Sequence, residues 1–232
     1  MTGERRGQYS AAPSVLGYFY QCRYALLKAL SRLSNGDRVS ISIETLDDVV
    51  FNTEGSAVEV LQTKHHLNKH AILYDASPDL WKTLRIWIEG RVDGTIPQDA
   101  QLFMITTALC SDGTAAAYLR QENRDEKKAL ERLTATASTS VNHINDLAYK
   151  AFNSLDGDRR LQLVNSVMVL DGSPPIWELD DLLRQTLFFA VERRFLDSYF
   201  QRLEGWWYRR VIRHLVDSNA VPISGDELET AG

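Results

Sequence analysis

Between Ser14 and about Leu33 the apolar residues recur at three- and four-residue intervals: Leu16, Phe19, Tyr20, Leu26, Leu27, Leu30 and Leu33. That period predicts a helix with one buried side, stopped by Ser34-Asn35-Gly36. The period then shortens to two. Two β-branched runs, Val39 to Phe51 and Ala57 to Thr63, are joined by Asn52-Thr53-Glu54-Gly55-Ser56, which predicts a β-hairpin with Asn and Gly in the turn. Ser77-Pro78-Asp79 opens a second helix with a cap, a proline at the first helical position and an acid in the first turn. It is expected to run to Glu89 and stop at Gly90, burying Leu80, Trp81, Leu84, Trp87 and Ile88. The run QLFMITTA over 101–108 reads as a buried strand.

From about Ala115 the pattern becomes helical. Ala115 to Gln121, Asp125 to Ala137, Ser140 to Ser154 and Asp158 to Leu163 carry helical spacing. A short strand, Val167 to Leu170, precedes the breaker Asp171-Gly172-Ser173-Pro174-Pro175. Helices resume at Trp177 to about Phe189 and at Val191 to Val216. The expected fold class is α/β, a mixed central sheet flanked by helices with a C-terminal helical annex. Residues 1–12 read as a flexible start, 13–112 as a core holding the hairpin, 113–217 as a mainly helical extension and 218–232 as a tail that stops without a clear final element.

Composition narrows the class. At 232 residues, 44% hydrophobic and 25% charged, the chain is ordinary globular material. A formal charge of −5 argues against nonspecific coating of nucleic acid, so any DNA site has to be a local patch. Cys22 and Cys110 lack metal-ligand spacing and suggest neither a disulfide framework nor a zinc site. With no charged-then-apolar leader and no long apolar run, the expectation is a cytoplasmic protein without a membrane segment.

The candidate chemistry lies on the hairpin. Val58, Val60, Gln62 and Lys64 share one strand face, and a five-residue loop sets Asp48 opposite Val60, diagonal to Gln62. An acid, a neutral oxygen donor and a lysine then surround one spot. Mg²⁺ suits such a set, because it takes oxygen ligands, keeps waters and uses few carboxylates. Asp48, the Gln62 side-chain oxygen and the Thr63 carbonyl are the candidate metal ligands. Lys64 is placed to act on a metal-bound water and on charge at phosphorus. Glu44 shares the Asp48 face but sits about 13 Å along the strand, suiting a second ion or a hairpin role. Asp47 faces away unless a bulge reverses the parity. A solvated strand face is the competing reading. His65, His66, Lys69 and His70 follow, and with Lys82 and Arg85 of the second helix they are candidate DNA-backbone contacts. His66 and His70 have zinc-like helical spacing, but no third ligand is close in sequence. Thr106 and Thr107 either face the cleft or are structural, the structural role being favoured.

Asp48, thirteen intervening residues, then Gln62-x-Lys64 resembles the PD-(D/E)XK nuclease signature, with Gln for the usual acid. Around it lie Gly17-Tyr18-x-Tyr20-Gln21, Ile43-Glu44-x-x-Asp47-Asp48-Val49, Gln62-x-Lys64-His65, Asp79-Leu80-Trp81-Lys82-Thr83-Leu84, Phe103-x-Ile105-Thr106-Thr107 and Gly205-Trp206-Trp207. This series is similar to the double-stranded DNA endonuclease domain of CD-NTase-associated effectors, shared by Lamassu and ABC three-component antiphage systems. The resemblance spans roughly residues 13 to 215. It implies a restriction-endonuclease-like core and a DNA endonuclease that uses Mg²⁺, with Mn²⁺ able to substitute. It also implies control by self-association, a sensor domain or an SMC-like ATPase subunit, and a chain that continues into a further region. His65 matches the family pattern directly after the lysine. Gln21 is either a residue near the metal, as on the first helix of many such nucleases, or a surface glutamine.

Between Arg184 and Arg213 seven arginines face Glu192, Asp197 and Glu204, a local excess of +4. With Trp206, Trp207 and Tyr208 they could grip DNA, but aromatic residues at helical spacing favour a packing or partner role. A non-catalytic DNA-binding or assembly module is the alternative to the nuclease.

Overall fold

The computed structural model describes residues 11–43, 48–54, 58–66, 68, 70–217 and 219–231, with Asp48 through its backbone alone. Glu44, Asp47 and Lys69 lie outside the described residues.

The first helix, α1 (Ala12–Ser34), carries Pro13 in its first turn, where a missing N–H costs nothing. The long apolar run that follows is two strands, β1 (Val39–Ile43) and β2 (Asp48–Thr53), followed by β3 (Glu59–Lys64). The expectation of one strand from Val39 to Phe51 is corrected here. Ile43 pairs with Val49 in antiparallel register, so the chain reverses between them. The spacing of Glu44 from Asp48 along one strand therefore does not apply. Across β2 and β3, Asp48 is opposite Gln62 and Val50 opposite Val60. The expected pairing of Asp48 with Val60 is thus out by two residues, because the last described pair is Phe51 with Glu59 and the connection is longer than the five residues assumed.

After a short β4 (Ile72–Leu73), α2 (Pro78–Asp93) crosses to β5 (Gln101–Thr106), which lies parallel to β3. The helix passes the expected stop at Gly90 and ends at Gly94, whose φ of 83° is the left-handed cap conformation. Gly90 is there for room: a Cβ on it would sit 2.7 Å from the Ile96 side chain. Ser77 caps differently from expectation, since its hydroxyl accepts from the Tyr74 N–H at 2.8 Å instead of from the helix.

The second half comprises β6 (Leu109–Cys110), α3 (Ala115–Tyr118), α4 (Glu126–Thr139), α5 (Asp146–Ser154), α6 (Gly157–Ser166), β7 (Val167–Leu170), α7 (Leu179–Thr186) and α8 (Leu196–Val216). The tail has an element after all: β8 (Ile223–Ser224) leads into α9 (Gly225–Thr230), with Ser224 and Glu227 forming a reciprocal capping box. The main sheet is six-stranded in the order β7-β5-β3-β2-β1-β8, and β4 and β6 form a separate parallel pair. Residues 113–217 therefore contribute β7 to the sheet, and the tail contributes its opposite edge.

Strand alternation makes three layers. Val60, Leu102, Met104, Val167 and Val169 point to one face, under α2 and the helices of the second half. Trp81 packs edge-on to Tyr149 at 4.6 Å and to Phe152 at 5.7 Å in that layer. Val49, Phe51, Leu61 and Ile105 point the other way, under α1, α7 and α8. Phe19, expected on the buried side of α1, is 41% exposed. Among the described residues no helix is long and apolar enough to cross a membrane.

Candidate functional site

β3 ends between the middle of α1 and the first turn of α2, and a cleft of about 490 Å³ opens there. Gly17, Tyr18 and Gln21 of α1 form one wall, Thr63 and Lys64 of β3 the floor, and His66 with Asp79 and Lys82 of α2 the other wall. Each is placed by the layering: a β3 flanked by β2 and β5 delivers its last residues where two helices converge.

Lys64 Nζ donates to Gln62 Oε1 at 3.1 Å, so the two share a side as strand parity requires. Gln62 is fully buried. Asp48 occupies the register position opposite it. The approach of a cation to Oε1 shows what that oxygen is: a neutral donor that an ammonium already uses and that a hard metal ion also suits. Among the described residues no three His, Cys, Asp or Glu side chains converge as a metal site. A cation at this place would rest on one carboxylate, the Gln62 amide oxygen, a main-chain carbonyl such as that of Thr63, and oxygens of a phosphate or water.

The opposite wall holds Asp79, expected as the first-turn acid of α2 and as the start of one of the matching motifs, without an assigned place in the site. Asp79 Oδ2 lies 3.0 Å from His66 Nε2. The His66 contact holds the Asp79 carboxyl below its usual range, outweighing burial, with the charges of His66, Lys64 and Lys82 adding to the effect. The His66 N–H donates to Thr107 Oγ1 at 2.8 Å, which fixes the segment after β3 to the end of β5. Thr107 is thus a structural residue, as is the buried Thr106, whose hydroxyl accepts from the Ala108 N–H at 3.1 Å. Asp79 was already legible as an acid two residues after a cap. That it meets His66 was not, because the two elements are joined only by tertiary packing.

Gln21 is 3% exposed, not a surface glutamine, and its Nε2 is buried without a hydrogen-bond partner among the described residues. It lines the cleft. An amide donor left unsatisfied costs about 1–3 kcal/mol, so its retention beside Lys64 needs a reason. His65 turns inward. Its ring stacks 4.9 Å from Tyr20, and its Nε2 accepts from the Ile176 N–H at 3.3 Å. Burial, with His66 beside it, lowers its pKa, which agrees with a neutral ring accepting at Nε2.

Among the remaining candidates, Lys82 is exposed at the rim. Arg85 lies one turn further along α2, beside Glu89 at 3.6 Å, and does not line the cleft. The helical spacing of His66 and His70 is not realised, since the described residues of that segment are not helical. Three of the seven arginines between Arg184 and Arg213 are paired: Arg184 of α7 with Asp197, Arg194 just before α8 with Glu192 at 2.9 Å, and Arg210 of α8 with Glu227 at 2.8 Å. Trp207 is fully buried and donates to the Cys22 carbonyl at 2.9 Å. A second cleft of about 570 Å³, near the end of α1, is lined by Asp37, Glu54, Asp226 and Glu229, an acidic rim that disfavours phosphate.

No protein-family model matches this chain, and no curated protein does. Solved structures do. A Cap4 receptor of Moraxella osloensis, described as containing SAVED/CARF domains, superposes with a TM-score of 0.55 at 16% identity, over 92% of this chain and 46% of that one. A Cap4 receptor of Acinetobacter baumannii, solved with the cyclic trinucleotide 2′3′3′-cAAA, gives 0.53 at 15% identity, over 92% of this chain and 43% of the receptor. The chain therefore has a mixed α/β fold in common with Cap4 receptors, and spans less than half the length of each of the two.

Proposed function

We propose that this chain is the nuclease unit of an antiphage effector, hydrolysing phosphodiester bonds of double-stranded DNA with Mg²⁺, or Mn²⁺ in its place. One observation carries the reading. Asp48 is paired across the strands with Gln62, and Lys64 Nζ rests on Gln62 Oε1 at 3.1 Å, beside a cleft walled by polar groups. The order helix, three antiparallel strands, helix, parallel strand supports it, with the acid on the second strand and Gln-x-Lys on the third. The antiphage assignment is supported by the fold held in common with Cap4 receptors.

In this reading Asp48, Gln62 and the Thr63 carbonyl hold the ion. When bound, it polarises the phosphate and lowers the pKa of a water. Lys64 donates to a phosphate oxygen and opposes the negative charge that grows as the nucleophile adds. The Gln62 amide, buried and rigid, keeps the ammonium aimed. Gln21 supplies an amide N–H from the facing helix, and Lys82 at the rim neutralises a backbone phosphate. Asp79 orients His66 along the cleft wall. His65, which also lines the cleft, supports the site through packing against Tyr20.

Cleavage of plasmid DNA with Mg²⁺, Mn²⁺ or EDTA tests this, run beside folded Lys64→Ala and Asp48→Ala. Metal-dependent cleavage lost in both variants is the expected outcome. Equal cleavage by Lys64→Ala would remove the mechanism. A second reading, binding of a cyclic oligonucleotide, rests on the receptor solved with a cyclic trinucleotide. Calorimetric binding of such a ligand by this chain, with no cleavage under any metal, would replace the nuclease by that reading. A non-catalytic DNA-binding or assembly module predicts neither cleavage nor ligand binding. Self-association, a sensor region or an SMC-like ATPase subunit would supply control.

A further inference from the structure

At the far end of α2 from the cleft, Arg91 is buried to 9% exposure. Arginine stays protonated in proteins, so its charge must be matched where it is buried. Among the described residues Arg91 makes no ion pair. One terminal nitrogen donates to the Ala100 carbonyl at 3.1 Å and to Ser166 Oγ at 2.8 Å, both neutral. Its Nε is buried with no acceptor. Asp99, the one carboxylate that acts on it, does so at a distance and is itself exposed. A buried positive charge that no carboxylate touches among the described residues is therefore built into the junction of α2, β5 and α6.

Arg91 also lines a cavity of about 260 Å³. Ile88, Leu155 and Leu163 give it an apolar floor, and Arg159, Gln98 and Gln162 stand around it. The Gln98 amide donates to the Arg91 carbonyl at 2.9 Å, which leaves its oxygen and the guanidinium edge facing different groups. Arg159 is held only by Asp156 at 3.6 Å, with both side chains more than 60% exposed, so its head can turn over the mouth at little cost. A purely structural arginine would satisfy its Nε or face a carboxylate. This one keeps its Nε sealed inside and lines a pocket with a second arginine at its rim.

We propose that this cavity binds a small oxyanion, a phosphate or carboxylate group carried on a compact apolar body, with Arg91 as its buried counter-charge and Arg159 and Gln162 closing over it. The apolar floor takes the body of the ligand, and the two guanidinium groups take the oxygens, for which their planar forks are suited. The site is independent of the nuclease reading, because it shares no residue with the cleft at Lys64.

Thermal unfolding of the whole chain tests it with phenyl phosphate, benzoate and inorganic phosphate, each against sodium chloride at matched ionic strength. At ligand concentrations about a hundredfold above Kd, the expected rise in Tm is about 5 °C or more. The phosphate and carboxylate arms decide which anion is preferred, and inorganic phosphate reports the share due to the apolar body. Arg159→Ala, an exposed change that leaves the fold intact, should cut the shift by half or more, and Arg91→Met should remove it where that variant folds. Lys64→Ala should keep it, which separates this cavity from phosphate binding in the cleft. No shift with any of the three compounds overturns the proposal. So does a shift that Arg159→Ala leaves whole or that Lys64→Ala abolishes.

Discussion

The end of β3 and the helix α8 both attract attention as places where DNA could bind, and they differ in how their polar groups are spent. Seven arginines fall between Arg184 and Arg213. Yet Arg184, Arg194 and Arg210 pair with acids, and Trp207 is a fully buried anchor against α1. The cleft has fewer charges, but its groups are arranged around a gap. Lys64 Nζ lies 3.1 Å from Gln62 Oε1, and Gln21 Nε2 is buried without a hydrogen-bond partner among the described residues. A buried amide that lines a cleft with no partner among the described residues, as Gln21 does, calls for an explanation that a solvated ion pair does not.

The sharpest way to break this contrast is Lys64→Ala. Loss of one donor to developing charge should lower metal-dependent cleavage about a hundred- to a thousandfold while the circular dichroism spectrum stays unchanged. Comparable loss from Arg193→Ala or Arg209→Ala on and before α8 would shift the site to that helix. Trp207→Ala should act in the opposite manner, lowering unfolding free energy by about 3–5 kcal/mol through the cavity and the lost hydrogen bond to the Cys22 carbonyl. Denaturant titration reads that cost, and cleavage per folded molecule should hold.

Gln21→Met sharpens the comparison further. The change keeps the length of the side chain and removes the orphaned amide, so stability should rise by about 1 kcal/mol while cleavage falls. A stability loss with activity intact would make Gln21 a structural residue. The smallest effect expected is in pH dependence. The folded pKa of His65 lies below its ordinary value of 6.5, so the unfolded chain binds the proton first as pH falls. Stability is therefore full above about 6.5 and declines as pH drops from there through the lowered folded value. Urea midpoints measured across that window should fall in the native chain and flatten in His65→Gln.

The contrast also bounds what pattern reading can give. A local excess of +4 was visible in the α8 segment, but Glu227, which takes Arg210, lies in a tail read as having no final element. Asp79 was visible as a helix-start acid, and His66 as one of a histidine group, without any signal that they meet. Pairing of that kind is invisible in one dimension, since nothing in the intervening residues specifies it.

Several features follow from the sequence alone because their causes are local. The period of α1 and α2, Pro78 in the first turn of α2, the buried β5 and the short β7 come from spacing and backbone preference acting within a few residues. The shared face of Gln62 and Lys64 follows from strand parity in the same way. Tertiary structure alone decided the rest. It turned the run from Val39 to Phe51 into two strands, set Asp48 opposite Gln62 and not Val60, and carried β7 and β8 to opposite edges of one sheet. It also buried Gln21 and Arg91. The physical reason is common to all of these: register, edge order and the burial of a polar group depend on which distant surface covers them, and that is settled only when the layers pack.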